Sequence, residues 1–154
     1  MGSPEVIAAQ VADFKQAMDR VDPSIPLVCL CGNHDVGDMP SRETIRVYSQ
    51  RFGDDYFSFW VGGCRCFVVN SSLYTALDEQ LWDKFPEELP NKATTLQLAR
   101  TQDEWLQAEL ATATGKHNMV FSHIPPFICD AQGKQARRQG KRRRRRRRRL
   151  RRRR

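Results

Sequence analysis

Four residues of this chain have side chains suited to joint chemistry: the tripeptide Asn33-His34-Asp35 in "CGNHDVG", and His123 in "VFSHIPPF". An asparagine carboxamide oxygen is a hard, neutral ligand for a divalent cation. A histidine can donate a proton near neutral pH, and an adjacent carboxylate can orient its imidazole and keep it protonated. Gly32 would let the backbone approach a metal closely. These residue types indicate metal-assisted chemistry on a phosphate ester.

The same residues also have a structural interpretation that needs no ligand. Gly and Asn favour tight turns, and Asp often caps a helix, so the tripeptide could simply reverse the chain. His123 could be a strand-end histidine whose imidazole bonds to the backbone. His117, in a polar stretch before the same strand, is predicted to lie on the surface. Residue types alone leave these alternatives open.

Apolar spacing predicts the elements of the first half of the chain. An amphipathic helix is expected over residues 4–20. Its apolar stripe comprises Val6, Ala9, Phe14, Ala17 and Met18. The run Leu27–Cys31 is short and apolar between turn residues, which is typical of a strand buried on both faces. A second helix is predicted from its cap, Ser41, to about Phe52.

Aromatic and β-branched residues predict a hairpin in the middle of the chain. Its strands cover residues 55–61 and 64–70, and Gly62-Gly63 forms the two-residue connection. Residues 71–95 contain Pro86, Pro90 and mixed charge, so a long irregular loop is predicted there.

The segment "TLQLARTQDEWLQAELATATG" predicts a further helix that stops near Gly115. Four of its residues are expected to face inward: Leu98, Trp105, Leu106 and Leu110. A strand over Asn118–Ser122 then leads into His123.

Helices that alternate with short apolar strands predict an α/β fold with the order α-β-α-β-β-loop-α-β. In such sheets, ligands bind beyond the carboxyl ends of the strands. Asn33-His34-Asp35 and His123 both follow a predicted strand. We therefore expect these two segments to converge in the folded chain.

Charge divides the chain into two regions. All 18 Asp and Glu residues lie at or before Asp130, together with 10 of the 26 Lys and Arg residues, so residues 1–130 carry a net charge of −8. Residues 131–154 carry +16. The sequence thus predicts an acidic globular domain, residues 1–130, followed by a disordered arginine-rich tail.

The arginine-rich tail, residues 131–154, has two interpretations. A polycation binds RNA or DNA because phosphate contacts release counterions, and it could redirect the chain to the nucleus or nucleolus. The alternative is that the tail is a translated simple repeat without a function of its own.

The cysteines and the apolar runs bear on compartment. Five cysteines, an odd number, without a predicted secretory signal favour reduced thiols in the cytoplasm. Cys29 and Cys31, like Cys64 and Cys66, share a strand face, but their spacing departs from that of zinc sites. We expect packing cysteines, with Cys129 near the site loop. No apolar run is long enough for a membrane span.

Five segments carry a resemblance to a known family: "IPLVCLCGNHDVG", "FGDDYFSFWVGG", "FVVNSSLY", "TQDEWLQAEL" and "VFSHIPPF". In this order they are similar to the calcineurin-like metallophosphoesterases, over roughly residues 13–129. "CGNHDVG" resembles the third motif of that family and "VFSHIPPF" its fourth. The resemblance implies a helix-flanked β-sandwich, here an incomplete αββα fold. It also implies a cytoplasmic, metal-dependent serine/threonine protein phosphatase.

By position, the resemblance implies a role for each residue of the two motifs. Asn33 and His123 would be metal ligands, His34 the general acid and Asp35 its orienting partner. The family site holds two divalent cations (Mn, Fe, Zn or Mg) and a hydroxide that attacks phosphorus. The implied substrate is a phosphoserine or phosphothreonine protein.

The family pattern also includes motifs that this sequence lacks. D-x-H and G-D are absent upstream of Gly32, and G-H-x-H is absent downstream of His123. Because metal affinity depends on ligand number and preorganisation, we expect this chain to be catalytically impaired. An alternative is an inactive chain that competes for the partners of a complete enzyme.

Overall fold

The computed structural model describes residues 3–125, except for the side chains of Glu79 and Gln80. Five α-helices occupy these residues: α1 (Pro4–Met18), α2 (Asn33–Val36), α3 (Arg42–Phe52), α4 (Ser71–Thr75) and α5 (Lys92–Thr112). Two 3₁₀ helices, Glu79–Lys84 and Pro86–Asn91, lie between α4 and α5. The strands are β1 (Phe57–Val61), β2 (Cys64–Val68) and β3 (His117–Phe121).

The three strands form one sheet in the order β1-β2-β3. β1 and β2 pair antiparallel, with Phe57 opposite Val68, and this confirms the predicted hairpin. Gly62 and Gly63 connect them at φ 54° and 78°, as a two-residue hairpin connection with positive φ at both positions requires. β3 joins β2 in parallel, which needs a crossover through the helices. The α/β class is confirmed.

The helix α5 packs through a narrower face than the sequence predicts. Its buried residues are Thr95, Ala99 and Gln102, spaced by four and three as one helical face requires. Trp105 is half-buried against Tyr56, with ring centroids 4.9 Å apart. Leu98 and Leu106 are also half-buried.

Leu110, predicted to face inward, is 42% exposed, so this expectation is wrong. Seven residues after Gln102, the buried face of α5 recurs at Glu109, which bonds to the sheet, so the next residue, Leu110, is rotated about 100° away from that face.

Leu27–Cys31 does not form the predicted strand. Within residues 3–125 the sheet contains only β1, β2 and β3, and this run has no regular secondary structure. Leu27 is 56% exposed. An apolar run favours the extended conformation locally, but a strand also needs a neighbour with which to exchange hydrogen bonds.

Two further expectations for the helices need correction. Residues 71–95 are not an irregular loop, because α4, both 3₁₀ helices and the start of α5 fill them. The α1 stripe is also shifted: Val6, Ala9 and Ala17 are exposed. Phe14 contacts Phe52 edge-on, with ring centroids 5.7 Å apart. Helix α3, by contrast, begins after Ser41 as predicted, and the Ser41 side chain caps it.

Two small apolar clusters hold the helices. Cys31, Val36 and Tyr48 form the first, which joins the Leu27–Cys31 run to α2 and α3. Met39, Ala76 and Trp82 form the second, under the 3₁₀ helices. The first cluster lies directly behind α2 and therefore anchors the candidate site.

Residues through His123 form one compact unit, to which all the helices and strands above belong. The boundary at 130, the tail over 131–154 and Cys129 lie outside the described residues. None of the helices within 3–125 is both long and apolar enough to cross a membrane.

The link between the sheet and α5 is an ion pair between Arg65 and Glu109. Ser58 Oγ also donates to Glu109 Oε2 at 2.8 Å. Hydrogen bonds from Arg65 and Ser58 lower the pKa of Glu109 below its ordinary value of 4.5, and the bond from Arg65 has the larger effect.

We expect Glu109→Gln to lower the free energy of unfolding by about 1 kcal/mol at pH 7. A lowered folded pKa stabilises the fold above the unfolded pKa, and this stabilisation is lost as the pH falls through the folded value. The difference from wild type should therefore shrink below pH 4.5. Urea denaturation at several pH values measures it, with the exposed Glu104→Gln on the same helix as control. A difference that grows in acid would contradict the assignment.

Candidate active site

Asn33, His34 and Asp35 form the first three residues of the one-turn helix α2. Asp35 Oδ2 accepts a hydrogen bond from the Gly32 backbone N–H at 2.8 Å, which caps the helix. Val36, fully buried in the first apolar cluster, anchors the other end. The tripeptide is thus a rigid projection from the core, with Asn33 half-buried and His34 and Asp35 exposed.

The Asn33 side chain is oriented by Asp38. Asn33 Nδ2 donates to Asp38 Oδ1 at 3.0 Å. Gly37, at φ 88°, lets the chain turn back so that Asp38 reaches Asn33. Because this bond uses the amide nitrogen, the carboxamide oxygen of Asn33 is left for a cation.

His123 lies against the start of α2. A Cβ atom built on Gly32 would lie 3.0 Å from His123 Nε2, 3.1 Å from Cδ2 and 3.2 Å from Cε1. The imidazole therefore packs against the Gly32 backbone so closely that an added methyl group would displace the ring by a few tenths of an ångström. Two segments about 90 residues apart in sequence meet at this contact. The convergence predicted from the sequence is present.

The parallel pairing of β2 and β3 delivers His123 to this position. β3 ends at Phe121, whose carbonyl accepts a hydrogen bond from Val69 N–H at 3.1 Å. This bond extends the ladder one residue beyond β2 and fixes the chain two residues before His123. His117, at the other end of β3, is exposed as expected, although it lies within the strand rather than before it.

Asn33 and His123 fit part of a cation site. An amide oxygen and an imidazole suit a divalent metal, and both belong to segments that meet at Gly32. Among residues 3–125, no group of three or more His, Cys, Asp or Glu side chains gathers as a metal site would require. Asn33 and His123 therefore supply two donor types and no complete ligand set within these residues.

The four described cysteines are free thiols. Cys31 and Cys66 are buried and Cys29 and Cys64 half-buried, which suits packing residues. Burial, followed by the charges of Asp55 and Asp35, raises the pKa of Cys31 to about 12. This thiol is consequently neutral at physiological pH and is not a nucleophile.

A groove of about 800 Å³ opens beside α2. Its walls are formed by helices α1 and α3 and by residues Leu27–Leu30. His34 and Asp35 also line the groove. The walls are mainly apolar, and they include Ile7, Val11, Phe14, Met18, Val47 and Phe52. The groove therefore offers an apolar surface next to two of the candidate catalytic side chains.

Burial sets the protonation of the groups behind α2. It raises the pKa of the Tyr48 hydroxyl, and the neighbouring thiols and carboxylates raise it further. Burial also raises the pKa of Asp55, while a hydrogen bond from Asn70 opposes this effect. Tyr48 is therefore a neutral phenol, and the bond from Asn70 favours the ionised form of Asp55 against the effect of burial.

Sequence reasoning missed the residues that support the site. Asp38 orients Asn33, and Asp55 and Asn70 form a buried hydrogen bond of 2.9 Å behind the site. A signal for Asp38 existed in the glycine that precedes it, since glycine permits the turn back toward α2. Asp55 and Asn70 gave no local signal, because the partners lie 15 residues apart.

We expect Gly32→Ala to displace the His123 imidazole, because the added methyl group would lie about 3.0 Å from Nε2. The Gly32 backbone, at φ −110°, suits alanine, so the effect isolates the contact from backbone strain. NMR spectra of the His123 ring should shift in Gly32→Ala. The free energy of unfolding should fall by about 1–3 kcal/mol.

The control for this prediction is the same substitution in a His123→Ala background. If the contact is real, Gly32→Ala costs little stability there, because the clashing ring is gone. Equal costs in both backgrounds would show that the two residues do not touch.

Curated proteins from several vertebrates are similar to this chain. Serine/threonine-protein phosphatase CPPED1 of Homo sapiens is 41% identical over 122 residues, which is 77% of this chain and 34% of that protein. The protein of the same name in Danio rerio is 36% identical over 122 residues, or 77% and 35% of the two chains. That in Rattus norvegicus is 41% identical over 123 residues, or 77% and 34%.

The chain spans about a third of the length of these relatives. None of the protein-family models matches the chain, and no solved structure matches it. The identity is nevertheless well above that of chance alignments and covers most of this chain. Over about three-quarters of its length, this chain is therefore a homologue of the proteins named serine/threonine-protein phosphatase CPPED1, consistent with its calcineurin-like phosphoesterase motifs.

Proposed function

We propose that this chain forms part of a metal-dependent phosphoesterase site of the serine/threonine protein phosphatase type. The observation that carries the proposal is the contact between His123 and Gly32. It brings the imidazole of one motif against the turn that presents Asn33 and His34. The names of the relatives add the reaction class, hydrolysis of phosphoserine and phosphothreonine in proteins.

In this proposal Asn33 and His123 hold the cation, one through its carboxamide oxygen and the other through its imidazole. The bond between Asn33 Nδ2 and Asp38 supports it, because it fixes which end of the amide faces outward. A bound divalent cation (Mn, Fe, Zn or Mg) would act as a Lewis acid toward the phosphoryl group and lower the pKa of water. The family arrangement holds two such cations.

His34 is proposed as the general acid. Its side chain is exposed at the edge of the groove, where a substrate can reach it. Departure of a serine alkoxide needs a proton, and an imidazolium can supply one near neutral pH. Asp35 is proposed as its orienting partner. In the structure the Asp35 carboxylate accepts from the Gly32 N–H, so this role remains a prediction.

We further propose that the chain is catalytically impaired when it acts alone. Two donors cannot hold a pair of dications against water, because metal affinity grows with ligand number and preorganisation. The sequence has no D-x-H or G-D motif upstream of Gly32 and no G-H-x-H motif downstream of His123, and these motifs would add carboxylate and imidazole donors. The site we describe would then turn over slowly, or would bind a cation without turnover. We propose a cytoplasmic location, which suits its free thiols.

A second candidate function rests on the +16 charge of residues 131–154. This segment is proposed to bind polyanions such as RNA or DNA by counterion release. The two functions need different residues, since polyanion binding requires neither Asn33 nor His123. A chain that binds polyanions but no cation would be a non-enzymatic protein, including one that competes for an enzyme's partners.

The leaving group of the substrate provides the test of His34. We measure Mn²⁺-dependent hydrolysis of a phosphoserine peptide and of p-nitrophenyl phosphate by the full chain. His34→Ala should lower hydrolysis of the peptide by about 100-fold, because its alkoxide needs a proton. The same variant should affect the aryl ester much less, because nitrophenolate leaves without one. His117→Ala, at the exposed end of β3, is the matched control.

Asn33→Ala should reduce hydrolysis of both substrates, and should weaken Mn²⁺ binding by about 10-fold or more in calorimetry. Hydrolysis that needs no metal, or that ignores Asn33 and His34, would contradict the proposed site. Turnover numbers in the usual enzyme range of about 1–1000 s⁻¹ would contradict the proposed impairment.

A further inference from the structure

His123 and the start of α2 meet through a packing contact on Gly32, and such a contact fixes a position only when both segments are themselves held in place. The residues that could fix this contact are those that form hydrogen bonds to each of the two segments. On the His123 side, the nearest such bond is Val69 N–H to Phe121 O, at 3.1 Å. The residue after Val69 is Asn70.

Asn70 is fully buried, and every polar group it has is hydrogen-bonded. Its backbone N–H donates to Gln102 Oε1 at 2.8 Å, and its carbonyl accepts from Gln102 Nε2 at 3.2 Å. Its side chain accepts from Ser72 N–H at 3.2 Å and donates to Asp55 Oδ2 at 2.9 Å. Such a side chain has one orientation, because any other would leave buried polar groups unsatisfied.

Asp55 extends this network to the other segment. Its backbone carbonyl accepts from the Cys31 thiol, with Sγ 3.8 Å away, and Cys31 is 1% exposed. Cys31 immediately precedes Gly32. The Asn70–Asp55 bond therefore lies between the residue that holds β3 and the residue that holds the start of α2.

Polar contacts elsewhere in residues 3–125 serve other parts of the fold. The buried bond from Trp82 Nε1 to Ala76 O, for example, lies within the second apolar cluster. The Arg65–Glu109 pair joins the sheet to α5. Asn70, by contrast, follows Val69, which bonds to the end of β3, and donates to Asp55, whose carbonyl accepts from Cys31.

We propose that Asn70 is a positioning residue: through its bonds to Asp55 and to Gln102, it fixes the distance between the α2 turn and His123. The effect of Asn70 on metal binding rests on the proposed function. Its effect on the distance between His123 and Gly32 does not depend on that function. Asn70 touches neither substrate nor cation in this proposal, and acts through Gly32 and His123.

The test exchanges the two members of the pair. Asn70→Asp replaces the amide donor to Asp55 by a second carboxyl group. At a pH high enough to ionise both groups, checked by their carboxyl carbon shifts in NMR, this breaks the bond and places like charges about 3 Å apart. Asp55→Asn combined with Asn70→Asp restores a donor and an acceptor with their positions reversed, and the new carboxylate at position 70 can still accept from the Ser72 N–H. Asn70→Ser, a milder change, serves if the first variant does not fold.

Two measurements on the full chain report the outcome. The first is the nuclear Overhauser effect between the His123 ring protons and Gly32 Hα, which needs no metal. The second is the dissociation constant for Mn²⁺, at a temperature where circular dichroism shows each variant to be folded. Trp82→Phe, which removes a buried hydrogen bond elsewhere, controls for loss of stability alone.

We expect Asn70→Asp and Asn70→Ser to lose the Overhauser effect and to bind Mn²⁺ about 10-fold more weakly. The exchanged double variant should recover both, and Trp82→Phe should change neither. Retention of the effect in folded Asn70→Asp overturns the proposal, as does its loss in Trp82→Phe or a failure of the double variant to restore it. If wild-type Mn²⁺ binding does not depend on Asn33 and His123, the proposed function fails, and the Overhauser comparison still decides the role of Asn70.

Discussion

The close approach of the His123 imidazole to the Gly32 backbone is the interaction on which the site depends. A β-carbon on residue 32 would lie about 3.0 Å from His123 Nε2, so any residue other than glycine at this position would displace the ring. The contact joins a loop that follows β3 to a one-turn helix formed early in the sequence. Each segment alone is a common structural motif. Together they place an imidazole against the residue that precedes Asn33, and the chemistry proposed here starts from that contact.

Two supports of different kinds maintain the contact. Apolar packing of Val36, Cys31 and Tyr48 anchors α2. Hydrogen bonding holds β3, through the ladder to Val69 and the buried group around Asn70. Buried polar networks of this kind are costly when one member is removed, so they specify a single arrangement. A site with few donors of its own depends strongly on such preorganisation.

The sequence was informative where the chemistry is local. The capped helix α3, the glycine-linked hairpin and the position of His123 just after a strand follow from short patterns, and the structure confirms them. The run Leu27–Cys31 was misassigned because strand formation depends on a partner elsewhere in the chain, which a local apolar pattern cannot supply.

The residues that support the site could not be predicted from the sequence, for a related reason. Asp55, Asn70 and Gln102 meet only after the sheet and α5 have packed, so no spacing in the sequence brings them together. Asp38 was overlooked because the turn at Gly37 reverses the chain between it and Asn33. The ligand roles of Asn33 and His123 and the acid role of His34 are still predictions.

The most direct test of the central claim is pulsed electron paramagnetic resonance of the chain loaded with one equivalent of Mn²⁺ and labelled with ¹⁵N-histidine. We predict a ¹⁵N coupling to the manganese that is lost in His123→Ala and retained in His117→Ala. A coupling that survives in His123→Ala, or no histidine coupling in the wild-type chain, would contradict this claim.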